Sequence, residues 1–236
     1  AINAAADNDT IYVQQSDTGY GDITLDKSLA IIGRSHSDSS YKSQVNDITI
    51  PSDGSNSTIK GLDVAVIQDL LPSGTLNNLV VVDCKIGVVD LNPNPNLGGN
   101  LNNILLQGNL LKSSITVRAS NAAIVNNVIK TAGSNFQVNI SPGNTIFSNN
   151  IVKDGSFSLF NNTVGLLTID NCIFVIESSS TETINFNISA QQNVEVRNSI
   201  TYNYGSGNYN FETSNNITLI NNQENVDPLF TFLEGS

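Results

Sequence analysis

Short runs of alternating apolar and polar residues recur along the chain, and most of them end in asparagine. The repeated phrases are IVNNVIK (124–130), IFSNNIV (146–152), TIDNCIF (168–174), EVRNSIT (195–201) and LINNQ (219–223). Two positions before each asparagine the residue is apolar, and in most phrases the residue four positions before is apolar too, as in Ile169 and Leu167, while Thr168 between them is polar. Alternation of period two in β-branched sequence predicts strands with one buried face.

The phrases return at a spacing of roughly 18 to 27 residues, the length of one coil of a solenoid. Aligning them gives one column: Cys84, Gly108, Asn126, Asn149, Asn171, Asn198 and Asn221. The period-two count puts these asparagines on the inward phase, at the point where each strand bends. A buried amide without a partner would cost about 1 to 3 kcal/mol. We therefore predict an asparagine ladder, in which carboxamides of coils stacked about 4.8 Å apart bind one another.

Two further features bear on this column. Asparagine tolerates the left-handed backbone conformation that such a bend requires. The alternative to a ladder is that asparagine is simply abundant in the chain, which would scatter it over both phases instead of aligning five successive members. Cys84 and Gly108 fit the column as small residues where the ladder ends.

A second strand recurs with the same period. The segments SITV (114–117), NFQVNI (135–140), SFSLF (156–160), INFNIS (184–189) and YNFET (209–213) each lie roughly 10 to 14 residues before the next ladder position. The chain is therefore predicted to be all-β, with residues 1–236 forming a single domain. Its expected architecture is a single-stranded right-handed parallel β-helix of roughly nine to ten coils.

Several segments carry a resemblance to a known superfamily. The opening AINAAADNDTIYV, GDITLDKSLAIIG (21–33), STIKGLDV (57–64) and VDPLF (226–230) resemble the pectin-lyase-like superfamily of right-handed parallel β-helix proteins. The resemblance implies a short N-terminal helical cap over the first coil. That scaffold hosts lyases, hydrolases, adhesins and structural proteins, so the resemblance implies a fold without implying an activity.

Composition narrows the partners. The chain has 21 acidic against 10 basic residues, a formal net charge of −11. Such a charge repels nucleic acid, anionic lipid and acidic polysaccharide. No apolar run approaches the roughly 20 residues of a membrane span. The acidic balance, the low lysine content and the many polar uncharged residues favour an extracellular or cell-surface location.

The two cysteines are predicted to be free thiols. Cys84 and Cys172 lie four coils apart, about 19 Å at the spacing of stacked strands, which is too far for a disulfide. Cys84 falls in the predicted column and should point inward, whereas Cys172 follows Asn171 and should have the opposite phase.

No catalytic residue is assigned from the sequence. The Asn-Thr-Asp, Asp-Asp and Gly-His-Gly phrases of similar galacturonan hydrolases do not occur, and the sole histidine, His36, lies in a polar loop-like stretch. Asp7, Asp9, Asp17, Asp22 and Asp26 could gather near the first coil and bind calcium, the one cofactor left open; ordinary surface carboxylates are the alternative. Carboxylate pairs across stacked coils also stay open, because residues distant in sequence lie close in a solenoid.

Two functions follow as expectations. The first is an extracellular structural or adhesive protein that binds itself end to end and forms filaments, because the terminal coils of a solenoid expose strand edges. The second is a carbohydrate-active enzyme or binding module for a neutral polysaccharide. For the second, Tyr202, Tyr204 and Tyr209 of TYNYGSGNYNF (201–211) are the candidate residues that would stack on sugars.

Overall fold

The computed structural model describes residues 1–34, 42–93, 98–130, 136–140, 144–159, 165–184, 186 and 192–229, with the backbone alone at 136–140 and 155–159. In chain order its strands are β1 (Thr10–Tyr12), β2 (Ile23–Thr24), β3 (Ala30–Ile32), β4 (Gln44–Ile50), β5 (Thr58–Lys60), β6 (Asp63–Asp69), β7 (Gly74–Asn77), β8 (Val80–Val82), β9 (Lys85–Leu91), β10 (Gly99–Asn102), β11 (Ile104–Gln107), β12 (Leu110–Leu111), β13 (Ile115–Val117), β14 (Ala122–Val125), β15 (Val128–Lys130), β16 (Phe136–Ile140), β17 (Thr145–Ser148), β18 (Ile151–Lys153), β19 (Gly155–Leu159), β20 (Gly165–Asp170), β21 (Ile173–Ile176), β22 (Glu182–Ile184), β23 (Gln192–Arg197), β24 (Ile200–Asn203), β25 (Tyr209–Phe211) and β26 (Ile217–Ile220).

Every strand pairing is parallel, and strands stack in the order of successive coils. The first sheet holds ten strands, β1, β3, β5, β8, β11, β14, β17, β20, β23 and β26. The second sheet holds twelve: β2, β4, β6 and β9 stack as one row, which then divides into β12-β15-β18-β21-β24 and β13-β16-β19. Two short sheets, β7-β10 and β22-β25, complete the winding. The predicted all-β parallel solenoid is confirmed.

The described chain has about seven complete turns, fewer than the nine to ten coils expected. From β5 to β25 each turn contributes three strands, whereas the turns before β5 contribute two and the last contributes β26 alone. The ten strands of the first sheet therefore match the expected nine to ten coils, but the number of complete turns does not. Turns near the ends bury less surface and hold fewer strands.

The core is a continuous column of aliphatic and aromatic side chains along the axis. In the first sheet the inward column contains Ile31, Ile59, Val81, Leu106, Ile124, Phe147, Ile169 and Val196, all fully buried and directly in register. The predicted alternation therefore holds within the strands. On β8 it is Val81 that points inward, one residue from the Val80 and Val82 expected from the alignment on Cys84.

The expected N-terminal cap is a single turn of 3-10 helix, Ile2–Ala4. Ile2 packs against the core, and the Lys27 ammonium donates hydrogen bonds to the carbonyl oxygens of Ile2, Asn3 and Ala5 at 2.8 to 3.3 Å. The carbonyls of Asn3 and Ala5 thereby gain partners at the end of the short helical turn, while the Ile2 carbonyl also accepts the Ala5 N–H at 3.1 Å. None of the helical segments in the described ranges has the length and hydrophobicity to span a membrane.

The bend after each strand of the first sheet from β5 to β26 has a left-handed backbone. The residues at this corner are Gly61, Asp83, Gly108, Asn126, Asn149, Asn171, Asn198 and Asn221, with φ between 51° and 67°. The conformation predicted for the asparagine positions is confirmed, and Gly108 shares it. Asp83, and not Cys84, occupies the corner in its coil.

The buried amides lie one residue beyond the predicted column. Asn126, Asn149, Asn171 and Asn198 are exposed, while Asn109, Asn127 and Asn150 are buried. The period-two count fails here because a left-handed residue breaks the alternation of the extended chain, so its own side chain turns outward and the next one turns inward. Cys84 is inward as predicted, and Cys172 is also inward, contrary to the expected opposite phase.

A continuous hydrogen-bonded column, which we call the corner ladder, runs through these inward positions: Leu62, Cys84, Asn109, Asn127, Asn150, Cys172, Ser199 and Asn222. The backbone N–H of Asn109 donates to Asn127 Oδ1 at 2.9 Å, and that of Asn127 donates to Asn150 Oδ1 at 2.8 Å. The carboxamides also bind one another, with Nδ2 to Oδ1 distances of 3.1 and 3.0 Å. A buried asparagine ladder is therefore present in the neighbouring column, while in the predicted column Asn171 Nδ2 donates to Asn149 Oδ1 at 2.6 Å on the surface.

The thiols are free and buried, as predicted for both cysteines. Burial raises the pKa of each thiol to about 12, so both are protonated at neutral pH. The Leu62 N–H approaches Cys84 Sγ at 3.5 Å, and the Cys172 N–H donates to Ser199 Oγ at 3.1 Å. Cys84 Sγ and Ser199 Oγ thus accept the backbone N–H hydrogen bond that an asparagine Oδ1 accepts in other coils.

Replacing Asn127 tests the corner ladder against its exposed neighbour. Asn127→Ala removes the acceptor of the Asn109 N–H and the donor to the Leu106 and Val125 carbonyls. We expect the free energy of unfolding to fall by about 3 kcal/mol, because several buried polar groups lose partners. Asn126→Ala should cost only about 1 kcal/mol, since it merely places alanine in the left-handed region. Urea unfolding of both variants measures the difference; a larger loss for Asn126→Ala would contradict the assignment.

Candidate functional site

The three candidate tyrosines separate into a surface pair and a core residue. The rings of Tyr202 and Tyr204 make an edge-to-face contact with centroids 4.7 Å apart. Tyr204 is 38% exposed, and burial, Asp227 and Tyr202 raise its pKa, in that order of effect. Tyr209 is only 2% exposed, so its ring belongs to the core and is not available to stack on a sugar. Only Tyr202 and Tyr204 therefore offer surface to a ligand.

The N-terminal aspartates act on the backbone. Asp9 Oδ2 accepts the Ala6 N–H at 2.8 Å, and Asp7 Oδ1 accepts the Ser28 N–H at 3.1 Å. Across the part of the chain that the structure describes, no three His, Cys, Asp or Glu side chains gather as a metal site would require. Asp7 therefore fastens the first turn to the second, whereas Asp9 stabilises a bend within the first turn. His36 lies outside the described residues.

An open cavity of about 630 Å³ lies beside the ends of β4 and β6. Its walls include Pro51, Ser52, Asp69, Leu70 and Pro72, and Leu70 is largely exposed there. Asp69 is the last residue of β6 and pairs with Ile50, the last residue of β4. The winding thus places one carboxyl group in an otherwise mostly apolar wall.

Asp69 has the most perturbed carboxyl group resolved in the described chain. Its pKa is raised to about 6, chiefly by burial and to a smaller extent by the negative charge of Asp90, against hydrogen bonds from backbone groups including Asn92 and Leu71 that lower it. Asp90 lies on β9 opposite Gln68, one residue from Asp69. A carboxylic acid that is half protonated near pH 6, beside a second carboxylate, is the arrangement that general acid catalysis uses.

The polar row next to Asp69 continues over several coils. Thr49, Gln68, Asp90 and Thr116 are in register on β4, β6, β9 and β13, and Gln68 Nε2 donates to Thr49 Oγ1 at 3.1 Å. Asp69 was not singled out from the sequence. Aligning VIQD (66–69) with VVDL (88–91) would have shown aspartate at neighbouring positions of consecutive coils, which is the available signal.

The two edges of the first sheet expose apolar residues. At the C-terminal edge, Leu219 and Ile220 of β26 are 37% and 39% exposed, and Val226 is exposed nearby. At the N-terminal edge, a cavity of about 270 Å³ is lined by Ile2, Ile11, Tyr12, Tyr20 and Ile23, and both tyrosines are more than half exposed. Within the described residues no further strand pairs with the outer edge of β1 or of β26.

The chain matches no protein-family model, no curated protein and no solved structure. Its parallel solenoid architecture is established by its own strand register and side-chain packing. A role for Asp69, for the tyrosine pair or for the sheet edges must accordingly be argued from their geometry and charge.

The titration of Asp69 gives a pH-dependent stability. Because the folded pKa of about 6 exceeds the unfolded value near 3.8, the folded state favours the protonated acid. Stability from this group is full below pH 4 and is lost as the pH rises through 6. We expect Asp69→Asn to remove this loss, so that the variant gains stability relative to the parent at pH 7.5 and not at pH 4. Denaturant unfolding at both pH values checks the shift, with exposed Asp53→Asn as the control.

Proposed function

We propose that this protein is an extracellular structural or adhesive β-solenoid that assembles end to end into filaments. The observation that carries the proposal is the exposure of Leu219 on β26. The eight residues before it in the same inward column, from Ile31 to Val196, are covered by the coil that follows. Leu219 continues that column in register with Val196 but is 37% exposed.

The edges formed by β26 and β1 are complementary in strand direction and in apolar surface. β26 and β1 are opposite edges of one parallel sheet, so β1 of a second copy can continue the hydrogen-bonding pattern of β26 without reversing direction. Leu219 and Ile220 would then meet the apolar cavity around Ile11 and Tyr20. Covering apolar surface favours the contact by about 25 cal/mol per Å². A contact between two different surfaces does not close on itself, and it generates a fibre.

The remaining parts of the proposal rest on the sequence. Membership in the pectin-lyase-like superfamily is supported by the N-terminal segments and by VDPLF (226–230) together with the parallel winding. An extracellular or cell-surface location is supported by the acidic, lysine-poor composition with a net charge of −11. The same charge disfavours nucleic acid as a partner.

Electron microscopy and light scattering of concentrated protein test the assembly. We expect filaments from the parent chain and none from Leu219→Arg, because a buried guanidinium would face the apolar end of the next copy. The control is Leu166→Arg, which changes a leucine of similar exposure on the side of the solenoid. It should leave filaments intact.

Two results would oppose end-to-end assembly. Monomeric parent protein at millimolar concentration would exclude it outright. Filaments that persist in Leu219→Arg and vanish in Leu166→Arg would show that assembly uses the side of the solenoid. Circular dichroism of both variants verifies that each retains its β-structure.

A second candidate function is carbohydrate processing at the Asp69 cavity. It is favoured by one observation, the pKa of about 6 for Asp69 beside Asp90 in an open cavity. Asp69 would act as a general acid by donating a proton to the leaving oxygen. The net negative charge makes a neutral polysaccharide the fitting substrate class.

A panel of neutral polysaccharides, scored for new reducing ends, tests this candidate. We expect turnover to fall at least a hundredfold in Asp69→Asn, because the amide has no proton to donate. The exposed Asp53→Asn variant, next to the same cavity, should retain turnover. Absence of new reducing ends with every glycan, or equal turnover in Asp69→Asn, would rule the candidate out.

A further inference from the structure

The outer face of the first sheet carries an apolar stripe with polar ends. One outward row, in register from β5 to β20, contains Thr58, Val80, Leu105, Ala123, Ile146 and Thr168. Ile146 is 49% exposed, and the other members are partly exposed. Outward-facing apolar residues in four consecutive strands form a larger patch than the isolated ones usual on a soluble surface.

A second outward row on the same strands ends in opposite charges. It contains Lys60, Val82, Gln107, Val125, Ser148 and Asp170. Lys60 lies on β5, and Asp170 lies five strands further on β20. The first row therefore has approximate mirror order about the midpoint between β11 and β14, with apolar residues inside and polar residues outside. The second row has opposite charges at its ends, and its inner mirror pairs, Val82 with Ser148 and Gln107 with Val125, each match an apolar with a polar residue.

We propose that this outer face, from β5 to β20, pairs with the same face of a second copy in antiparallel orientation. A two-fold axis parallel to the strands, between β11 and β14, keeps each row opposite itself and reverses the order of the coils. Val80 then faces Ile146 of the other copy, Leu105 faces its Ala123, and Thr58 faces its Thr168. An isologous contact requires this self-complementarity.

The charges favour this orientation over the parallel one. In the antiparallel dimer, Lys60 of each copy faces Asp170 of the other, which gives one opposite-charge contact at each end of the interface. In a parallel dimer, each coil would face its own copy and bring Lys60 towards Lys60 and Asp170 towards Asp170. Like charges placed together penalise the wrong arrangement.

The groups that would form the contacts are accessible. The Lys60 side chain is about half exposed and has a 4.0 Å ion pair with the equally exposed Asp83. Asp170 is more engaged, because Oδ1 accepts Arg197 Nε at 3.3 Å and Asn198 Nδ2 at 3.0 Å. Arg197 in turn binds Glu195 at 3.1 Å, so this ion-pair cluster marks the margin of the face.

The size of the face predicts a weak dimer. Six strands about 4.8 Å apart span about 24 Å, and the two rows are about 10 Å wide. This is below the roughly 800 Å² per partner of a standard stable interface, so we expect association in the micromolar range or weaker. The face lies on the side of the solenoid, and the contact is therefore independent of end-to-end growth and would join filaments in antiparallel pairs.

Sedimentation equilibrium over a wide concentration range tests the pairing, with Leu219→Arg present throughout to suppress end-to-end growth. We expect Ile146→Lys to weaken dimerisation at least tenfold, and Lys60→Asp to weaken it about tenfold by opposing Asp170. The double exchange Lys60→Asp with Asp170→Lys should recover most of the loss. Asp53→Lys, a charge change away from the face, is the control and should leave dimerisation unchanged.

Disulfide trapping tests the antiparallel orientation directly, without measuring whether the double charge exchange restores dimerisation. Under mild oxidation, a variant with both Lys60→Cys and Asp170→Cys should form a covalent dimer, and either single variant should not. The native thiols do not interfere, because Cys84 and Cys172 are fully buried. A covalent dimer from Lys60→Cys alone would indicate the parallel arrangement and overturn the proposal. Monomers at every concentration, with no trapping, would also overturn it.

Discussion

The fold depends on one backbone N–H group per coil, located just after the left-handed corner. The N–H of the corner residue itself donates to the following coil, as that of Asn126 does to the Ser148 carbonyl. The N–H two residues later donates to the preceding coil, as that of Val128 does to the Asn109 carbonyl. The residue between them has no backbone acceptor, and a buried N–H without a partner is costly. The side chain from the next coil supplies the acceptor, so each coil completes the one before it.

The hydrogen bonds of the corner ladder determine which residue types can occupy the inward position after each left-handed corner. The requirement is a short inward side chain with an acceptor atom, and the carboxamide of Asn127 meets it while also donating to two carbonyl groups. Ser199 accepts through its hydroxyl, and Cys84 accepts more weakly through sulfur. The sequence predicted the strands, the repeat and the presence of the ladder. The sequence could not show which of two adjacent asparagines points inward. Strand alternation ends at the left-handed residue, and doublets such as Asn126-Asn127 offer two candidates for the buried position.

Functional positions were harder to predict because they depend on which coils lie next to each other. Tyr202 and Tyr209 belong to one tyrosine-rich segment, yet the first is at the surface and the second is in the core. Uneven turn lengths decide this, and the sequence does not reveal them. Asp69 likewise gains its raised pKa from burial and from Asp90 on the next coil. Twenty residues separate the two carboxyl groups in the chain, and only the strand register of β6 and β9 shows that they are neighbours.

Because the strand register is fixed, the ends and the sides of the solenoid can make different kinds of contact with other molecules. Each coil is pinned at its corner and along the first sheet, so strands cannot slip relative to one another without breaking the corner ladder. Axial contacts must therefore extend the sheet at β1 or β26, whereas the outward rows present side chains at constant spacing. A charge on β5 and one on β20 are held at a fixed distance. Because this spacing does not vary, the face can match the same face of a second copy. In a flexible chain the same residues would specify no partner.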